Sequence, residues 1–286
     1  MRSVAIVAHL SHPQARALAI ELAAWLAARG HEAWIPSADA AELGLDELAG
    51  DRPAASADLV LSLGGDGTML RAVSLLDGAP VPLLGVNLGR LGYLTEVEAP
   101  RAQEALERFE QGSAEGEWHI DERMMLAIAA RDAHGDEIGS WQALNEAVVE
   151  KSRSGTVSLL VRIDGEPFTS YATDGLIVST PTGSTAYSLS ARGPIVSPKH
   201  RALLVTPVAP HMLFDRSLVL DPTETVEIDV LGNHPASLVV DGRPVSELSA
   251  GDVVRCTPAE ATARFVRFGA HHYHQVLKTK FGLTDR

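Results

Sequence analysis

An α/β N-terminal domain built on a parallel sheet, followed by a β-rich C-terminal domain, is the fold class that the sequence predicts. Three observations predict it. Strand-like and helix-like segments alternate as far as about residue 111. Beyond residue 112, short strand-like segments follow one another directly, and the turn signals Asp164-Gly165, Asp241-Gly242 and Ala250-Gly251-Asp252 punctuate them as hairpins require. Alternation places helices on the faces of a parallel sheet and ligands at the carboxyl ends of its strands.

Residues 4–8 form an apolar run that reads as a buried strand. Ser11 is placed to cap a helix whose apolar stripe is Ala15, Leu18, Ala19, Leu22, Trp25 and Leu26, ending at Gly30. Residues 33–35, 58–63 and 81–86 read as further strands, with helical patterns at 68–77 and 101–111. A linker is expected at 111–117, and then strands at 124–130, 143–150, 157–163, 176–180, 225–230, 238–240 and 253–257. The tail around His271, His272, Tyr273 and His274 reads as a final amphipathic helix; with no carboxylate or cysteine beside them, its histidines suit a mixed polar face better than a metal site. The expected division is 1–111, 112–265 and a closing segment 266–286.

The 286 residues are 45% hydrophobic and 21% charged, the balance of an ordinary globular protein rather than a disordered or collagen-like one. A formal charge of −13 repels nucleic acid and anionic lipid, so neither is expected as a partner, and a nucleotide would need a local nest of donors. The single cysteine, Cys256, has no partner for an intramolecular disulfide and reads as a small core residue in a reducing compartment. The first apolar run is too short for a signal peptide, and no stretch approaches the roughly 20 apolar residues of a spanning helix. A cytoplasmic protein is expected.

Leu63-Gly64-Gly65-Asp66-Gly67-Thr68 lies between an expected buried strand and an expected helix. Glycines let main-chain N–H groups approach an oxyanion closely, and the start of a helix adds favourable potential for phosphate. This makes Gly64, Gly65, Gly67 and Thr68 a phosphate cradle without a Walker lysine. A glycine-rich turn of this kind also occurs without a ligand, with Asp66 merely capping the helix. A carboxylate in an anion-binding turn otherwise suits a proton acceptor, or a holder of magnesium beside phosphates. The stretch Gly85-Val86-Asn87-Leu88-Gly89-Arg90-Leu91-Gly92 has the wrong spacing for a dinucleotide fingerprint and reads as a second tight loop beside the first.

Asn145-Glu146 offers an amide for an adenine edge and a carboxylate for ribose hydroxyls, but alone the dipeptide reads more readily as a turn or an edge-strand pair. The run from Thr173 and Asp174 through Thr180-Pro181-Thr182-Gly183-Ser184-Thr185-Ala186-Tyr187-Ser188-Leu189-Ser190 gathers small hydroxyl donors and one aromatic ring at a strand end.

In this order and approximate spacing, these motifs resemble the ATP-dependent NAD kinase family over most of the chain. The glycine motif is shared with a wider superfamily that includes diacylglycerol and sphingosine kinases and 6-phosphofructokinases; the run from Ser179 to Tyr187 is the specific one. The resemblance implies a Rossmann-like, phosphofructokinase-like first domain, a β-sandwich-like second domain, a dinucleotide site between them and a last segment packed back on the first domain. It also implies a homodimer or homotetramer. By matched positions, Asp66 resembles the family's proton acceptor, with Gly67 beside it on the dinucleotide. Asn145 and Glu146 resemble adenosine-side contacts, and Asp174 a nicotinamide-side contact at a subunit boundary. Thr185, Ala186, Tyr187 and Ser190, with Ser188 and Leu189 among them, resemble a pocket lining. Arg71, placed with the NAD-binding positions, matches a basic position that can face a phosphate. Two departures stand out: Arg192-Gly193-Pro194 replaces two glycines before the proline, and Tyr93 replaces a common phenylalanine.

The implied reaction uses ATP as donor, with magnesium, and NAD as acceptor; no protein cage for the metal is evident in the sequence. The alternatives are a lipid kinase using the same glycine loop and a catalytically silent NAD-binding regulator. The acidic balance and the hydroxyl-rich run oppose the first, and the presence of Asp66 opposes the second.

Overall fold

The computed structural model describes residues 2–89, 92–152, 155–232, 234–269 and 273–283. Of the expected features, Arg90 and Leu91 of the second loop and His271 and His272 of the tail lie outside the described residues. The chain divides into two compact units, Met1–Glu122 with Ala263–Arg286, and Arg123–Thr262.

The first unit is the α/β half. Its strands are β1 (Ser3–Ala8), β2 (Glu32–Pro36), β3 (Ala49–Gly50), β4 (Leu59–Gly64), β5 (Pro82–Asn87) and β6 (Val97–Glu98). Its helices are α1 (Pro13–Ala28), α2 (Ser37–Leu43), α3 (Asp66–Leu76) and α4 (Ala102–Glu110). The parallel order is β5-β4-β1-β2-β3, and the last residues of the strand Val253–Phe268 add to the β5 edge, with Phe265 opposite Leu83. Every residue of β4 is buried, as the apolar run of a strand covered on both faces requires. Helix α1 buries Ala15, Leu18, Ala19, Leu22 and Leu26 as its periodicity predicts, while Trp25 stays at the rim under the Arg29 guanidinium, 3.8 Å away. Ser11 does not cap it. The cap position falls on His12 with no side-chain bond, and Pro13, whose fixed φ and missing N–H suit the first turn, starts the helix. The unit continues past residue 111 to Glu122 because Trp118 and Ile120 pack against its core.

The second unit carries most of β7 (Trp118–Arg131), then β8 (Glu137–Ala143), β9 (Glu146–Lys151), β10 (Val157–Ile163), β11 (Glu166–Thr173), β12 (Gly175–Ser179) and the one-turn helix α5 (Tyr187–Ser190). There follow β13 (Leu203–Val208), β14 (Leu218–Leu220), β15 (Val226–Leu231), β16 (Ala236–Val240), β17 (Arg243–Leu248) and β18 (Val253–Phe268). One antiparallel sheet runs β14-β13-β12-β9-β16-β17; a second layer contains β11-β10-β15-β18 and the β7-β8 pair. One apolar core, including Leu126, Val149, Leu159, Leu176, Ile228 and Val254, fills this unit. Asp164-Gly165 and Asp241-Gly242 turn the β10-β11 and β16-β17 hairpins with both residues at positive φ, the reason Asp-Gly serves there. Cys256 is fully buried on β18, and burial pushes its thiol up to about 12. The tail closes as α6 (Tyr273–Lys280) in the first unit, its Tyr273 ring 6.0 Å and its Lys280 ammonium 4.7 Å from the Tyr93 ring.

Arg192, the departure noted in the sequence, takes φ 65 and is exposed, while Gly193 beside it could not carry a Cβ without meeting Ser188 Oγ at 2.2 Å. The left-handed backbone costs a residue that carries a Cβ roughly 1–2 kcal/mol, which glycine avoids at some entropic cost in the unfolded chain. Arg192→Gly is therefore expected to raise the melting temperature by about 1–3 °C. A melt with no rise would show that this turn carries no strain.

Candidate functional site

Each unit brings together its own set of groups. In the first, parallel pairing of β4 with β5 sets Gly64 opposite Asn87, so the two glycine-rich loops leave the same edge of the sheet side by side. The Leu88 N–H donates to the Gly64 carbonyl at 3.2 Å. Gly64 has no room for a side chain, since a Cβ would meet Thr68 Oγ1 at 2.1 Å. Gly65 caps α3, and Asp66 is the first helical residue, yet its carboxylate makes no capping bond. It turns instead to the second loop, accepting the N–H groups of Leu94 at 2.9 Å on Oδ1 and of Tyr93 at 3.0 Å on Oδ2. Gly92 permits this approach, because a Cβ there would lie 2.1 Å from Asp66 Oδ1. The loop is anchored behind by Arg267, fully buried, which donates to the carbonyls of Leu94 and Thr95 and pairs with Glu96 at 2.9 Å.

Beside the first glycine loop lies a cavity of about 460 Å³, lined by Gly65, Gly67, Thr68 and Arg71 together with His9 and Glu42. Arg71, one turn into α3, pairs with Asp39 at 3.1 Å and donates to the Ala8 carbonyl. The cavity thus offers glycine backbone, a hydroxyl and a guanidinium, a set that suits an anionic ligand. Among the described residues, no group of three or more His, Cys, Asp or Glu side chains is arranged to hold a metal ion.

In the second unit, antiparallel pairing does the gathering. Ser179 at the end of β12 faces Glu146 at the start of β9, and Val240 at the end of β16 faces Ala147. Three segments far apart in sequence therefore meet at one edge. Asp241 accepts the N–H groups of Leu144 at 2.8 Å, Asn145 at 2.8 Å and Glu146 at 3.1 Å. Sequence reading missed this residue, treating Asp241-Gly242 only as a turn; the three donors it captures are 95 to 97 positions away. The Thr180 hydroxyl binds the Leu144 carbonyl at 2.6 Å and receives the Gly183 N–H at 3.1 Å, folding the hydroxyl-rich turn onto Asn145. The backbone approach leaves no space at Gly183, where a Cβ would sit 2.2 Å from the Asn145 carbonyl oxygen.

Glu146 is 5% exposed, and its Oε2 is buried with no partner. Burial first, and then repulsion from Asp241, push this carboxyl from 4.5 up to about 8, against a smaller opposing pull from the Tyr187 backbone N–H. Burial likewise raises Asp241 despite its three backbone donors. A carboxyl whose folded pKa lies above its unfolded value stabilises the fold fully below the unfolded pKa and loses that contribution as pH rises through the folded one. Melting temperature is thus expected to fall from pH 5 to pH 8.5. Glu146→Gln should flatten that fall, leaving only what Asp241 and other groups contribute; an undiminished slope would remove Glu146 as its source.

The remaining expected residues fall in different places. Tyr187 is exposed, and burial, then Glu150, Asp174 and Glu146, raise its phenol. Thr185 bonds back to the Thr182 carbonyl at 3.2 Å, Ala186 and Leu189 are half-buried, and Ser190 is exposed. Ser188 turns inward instead, its hydroxyl 3.1 Å from that of Thr206, so it ties α5 to the core. Asp174 precedes β12 and pairs with Lys151 at 2.6 Å, at the opposite end of the strand pair from Glu146, roughly 17 Å along at the usual rise per residue.

Comparison with known proteins agrees in both units. Residues 4–114 match the ATP-NAD kinase N-terminal domain and residues 144–268 the ATP-NAD kinase C-terminal domain. The chain is 38% identical to an NAD kinase of Syntrophotalea carbinolica over 100% of both chains. It is 42% identical to an NAD kinase of Heliobacterium modesticaldum over 98% of both. Among solved structures, the yeast NADH kinase complexed with NADH superposes with a TM-score of 0.89 at 26% identity, covering 100% of this chain and 89% of the other. An NAD kinase from Archaeoglobus fulgidus in complex with ATP shares the fold, with a TM-score of 0.72 at 24% identity over 100% of both chains.

Proposed function

The chain belongs to the ATP-NAD kinase family, and from that premise we propose that it transfers the terminal phosphoryl group of ATP to the adenosine-ribose 2′-hydroxyl of NAD, giving NADP. The acceptor is thus an alcohol, and the enzyme a phosphotransferase. The observation that carries the site assignment is the position of Asp66, whose neighbours Gly65 and Gly67 line the cavity beside the glycine loop. Lipid-kinase and silent-regulator readings find no support in the full-length likeness to NAD kinases.

In this reading, the phosphates of ATP lie against Gly65, Gly67, Thr68 and Arg71, and Asn145 and Glu146 hold the adenosine of NAD. A buried Glu146 that keeps its proton near neutrality can donate a hydrogen bond to a ribose oxygen as well as accept one. Tyr187 offers its ring as a stacking surface beside them. Binding energy spent on adenine and ribose orients the 2′-hydroxyl, and orientation supplies much of the rate. Asp66 accepts the hydroxyl proton as the new P–O bond forms; a loose transition state needs little activation of the nucleophile beforehand. The two N–H groups on Asp66 hold its carboxylate in one orientation, each oxygen retaining a further acceptor site. Magnesium, when it accompanies ATP, neutralises phosphate charge; the described residues form no cage for it, so phosphate oxygens and water would complete its shell.

The same reading includes a homodimer or homotetramer, favoured by the exposed apolar Phe168, Leu213 and Phe214, and a reducing cytoplasmic setting, which suits the lone buried Cys256. Incubation with ATP, magnesium and NAD should yield ADP and a product reducible by an NADP-specific dehydrogenase. Phosphate at any other position, or no transfer to NAD, would overturn the assignment.

A further inference from the structure

We propose that Asp39 is a positioning residue for the phosphoryl donor, aiming the Arg71 guanidinium at the ATP phosphates in the cavity beside the glycine loop. This rests on the reading of that cavity given above. Among its contacts, Arg71 is held by Asp39 at 3.1 Å through one terminal nitrogen and by the Ala8 carbonyl through the other. Both charged side chains are largely covered, at 16% and 15% exposed, so the pair is partly desolvated and screened less than a surface pair. The Asp39 carboxyl is raised by burial, against the pull of Arg71 and with a further push from Glu42. Glu42, on the same helix as Asp39, lines the cavity itself. Helix α2 therefore supplies a wall of the cavity and the counter-charge for its guanidinium.

An arginine side chain has considerable rotamer entropy, which a ligand must otherwise overcome on binding. Fixing the guanidinium beforehand removes that penalty for a phosphate that meets it in place. Its planar fork then presents donors in a geometry that phosphate oxygens match. The pairing also lets the guanidinium sit under cover before any anion arrives, since a buried charge without a partner is costly.

The test is steady-state kinetics on Asp39→Asn, Asp39→Glu, Arg71→Ala and the Asp39→Asn/Arg71→Ala double variant, varying ATP at saturating NAD and then NAD at saturating ATP. Asp39→Asn should raise KM for ATP about tenfold, with kcat and KM for NAD changed by less than about twofold. Asp39→Glu should recover most of the loss, and in the Arg71→Ala background Asp39→Asn should add nothing. If Asp39→Asn raised both KM values equally alongside a lowered melting temperature, its role would be structural and the proposal would fall. If Arg71→Ala raised KM for ATP while Asp39→Asn did not, positioning would fall and the cavity reading would stand. If neither variant moved KM for ATP, the cavity would not be the donor's phosphate site.

Discussion

Asp66→Asn is expected to lower turnover by about 10²- to 10⁴-fold, the range that a positioned proton acceptor contributes, while leaving NAD affinity within a few-fold of the parent. The substitution keeps the volume and removes the proton affinity. The structure adds a consequence that must be measured with it. The carboxylate accepts two N–H groups, from Tyr93 and Leu94, and an asparagine can accept only one, its amide nitrogen then opposing the other donor. Some loosening of the second loop follows, so a melt and a calorimetric NAD titration belong beside the rate. The adenosine-side residues lie at the start of β9 and just before it, with Tyr187 in the segment after β12, and that titration should be nearly unchanged. Turnover within a few-fold of the parent would remove Asp66 as the base, and loss of NAD affinity equal to the loss of rate would make it a binding residue.

Gly183→Ala should have the second largest effect, in the other unit and through packing. The added Cβ would stand 2.2 Å from the Asn145 carbonyl oxygen and 2.6 Å from its carbon, and both are backbone atoms that no rotamer change can move. Either the hydroxyl-rich turn or the Leu144–Glu146 backbone must shift, breaking the bond from the Thr180 N–H to the Asn145 carbonyl, now 2.9 Å. Overpacking of this kind costs about 1–3 kcal/mol. Because both displaced segments are proposed to hold adenosine, NAD affinity should drop at least about tenfold, with ATP affinity much less affected. An alanine variant with parental NAD affinity and melting temperature would show that the turn does not need the close approach.

Much of the architecture was legible because its cues are local. The run of β4, the stripe of α1 and the Asp-Gly hairpins each follow from side-chain period or backbone torsion within a few residues. Several missed segments have a polar exterior, although the buried apolar strand β13 was missed as well. Strand β11 buries only Tyr171 and Thr173 among its residues, β17 runs along a sheet edge with Pro244 in it, and α2 has seven residues with two buried. None has the apolar period that marks an element. The strand expected over 143–150 is two strands, because the N–H groups of Leu144 and Asn145 go to Asp241 rather than to a neighbouring strand. The strand expected over 253–257 continues to Phe268, since β18 carries the chain from the second unit into the first.

By itself the sequence determined the two-part architecture, the glycine loop with its acid, the Asn145-Glu146 pair, the hydroxyl-rich turn and the family to which they belong. These are properties of residue type and spacing along a few tens of residues, and chemistry at that range is written in composition and period. Only the tertiary structure decided which distant group each motif answers to: Tyr93 and Leu94 for Asp66, Asp39 for Arg71, Asp241 for the backbone of Asn145 and Glu146, and Thr206 for Ser188. Those partners are chosen by sheet order and strand register, so nothing in the residues adjacent to either member of a pair records them.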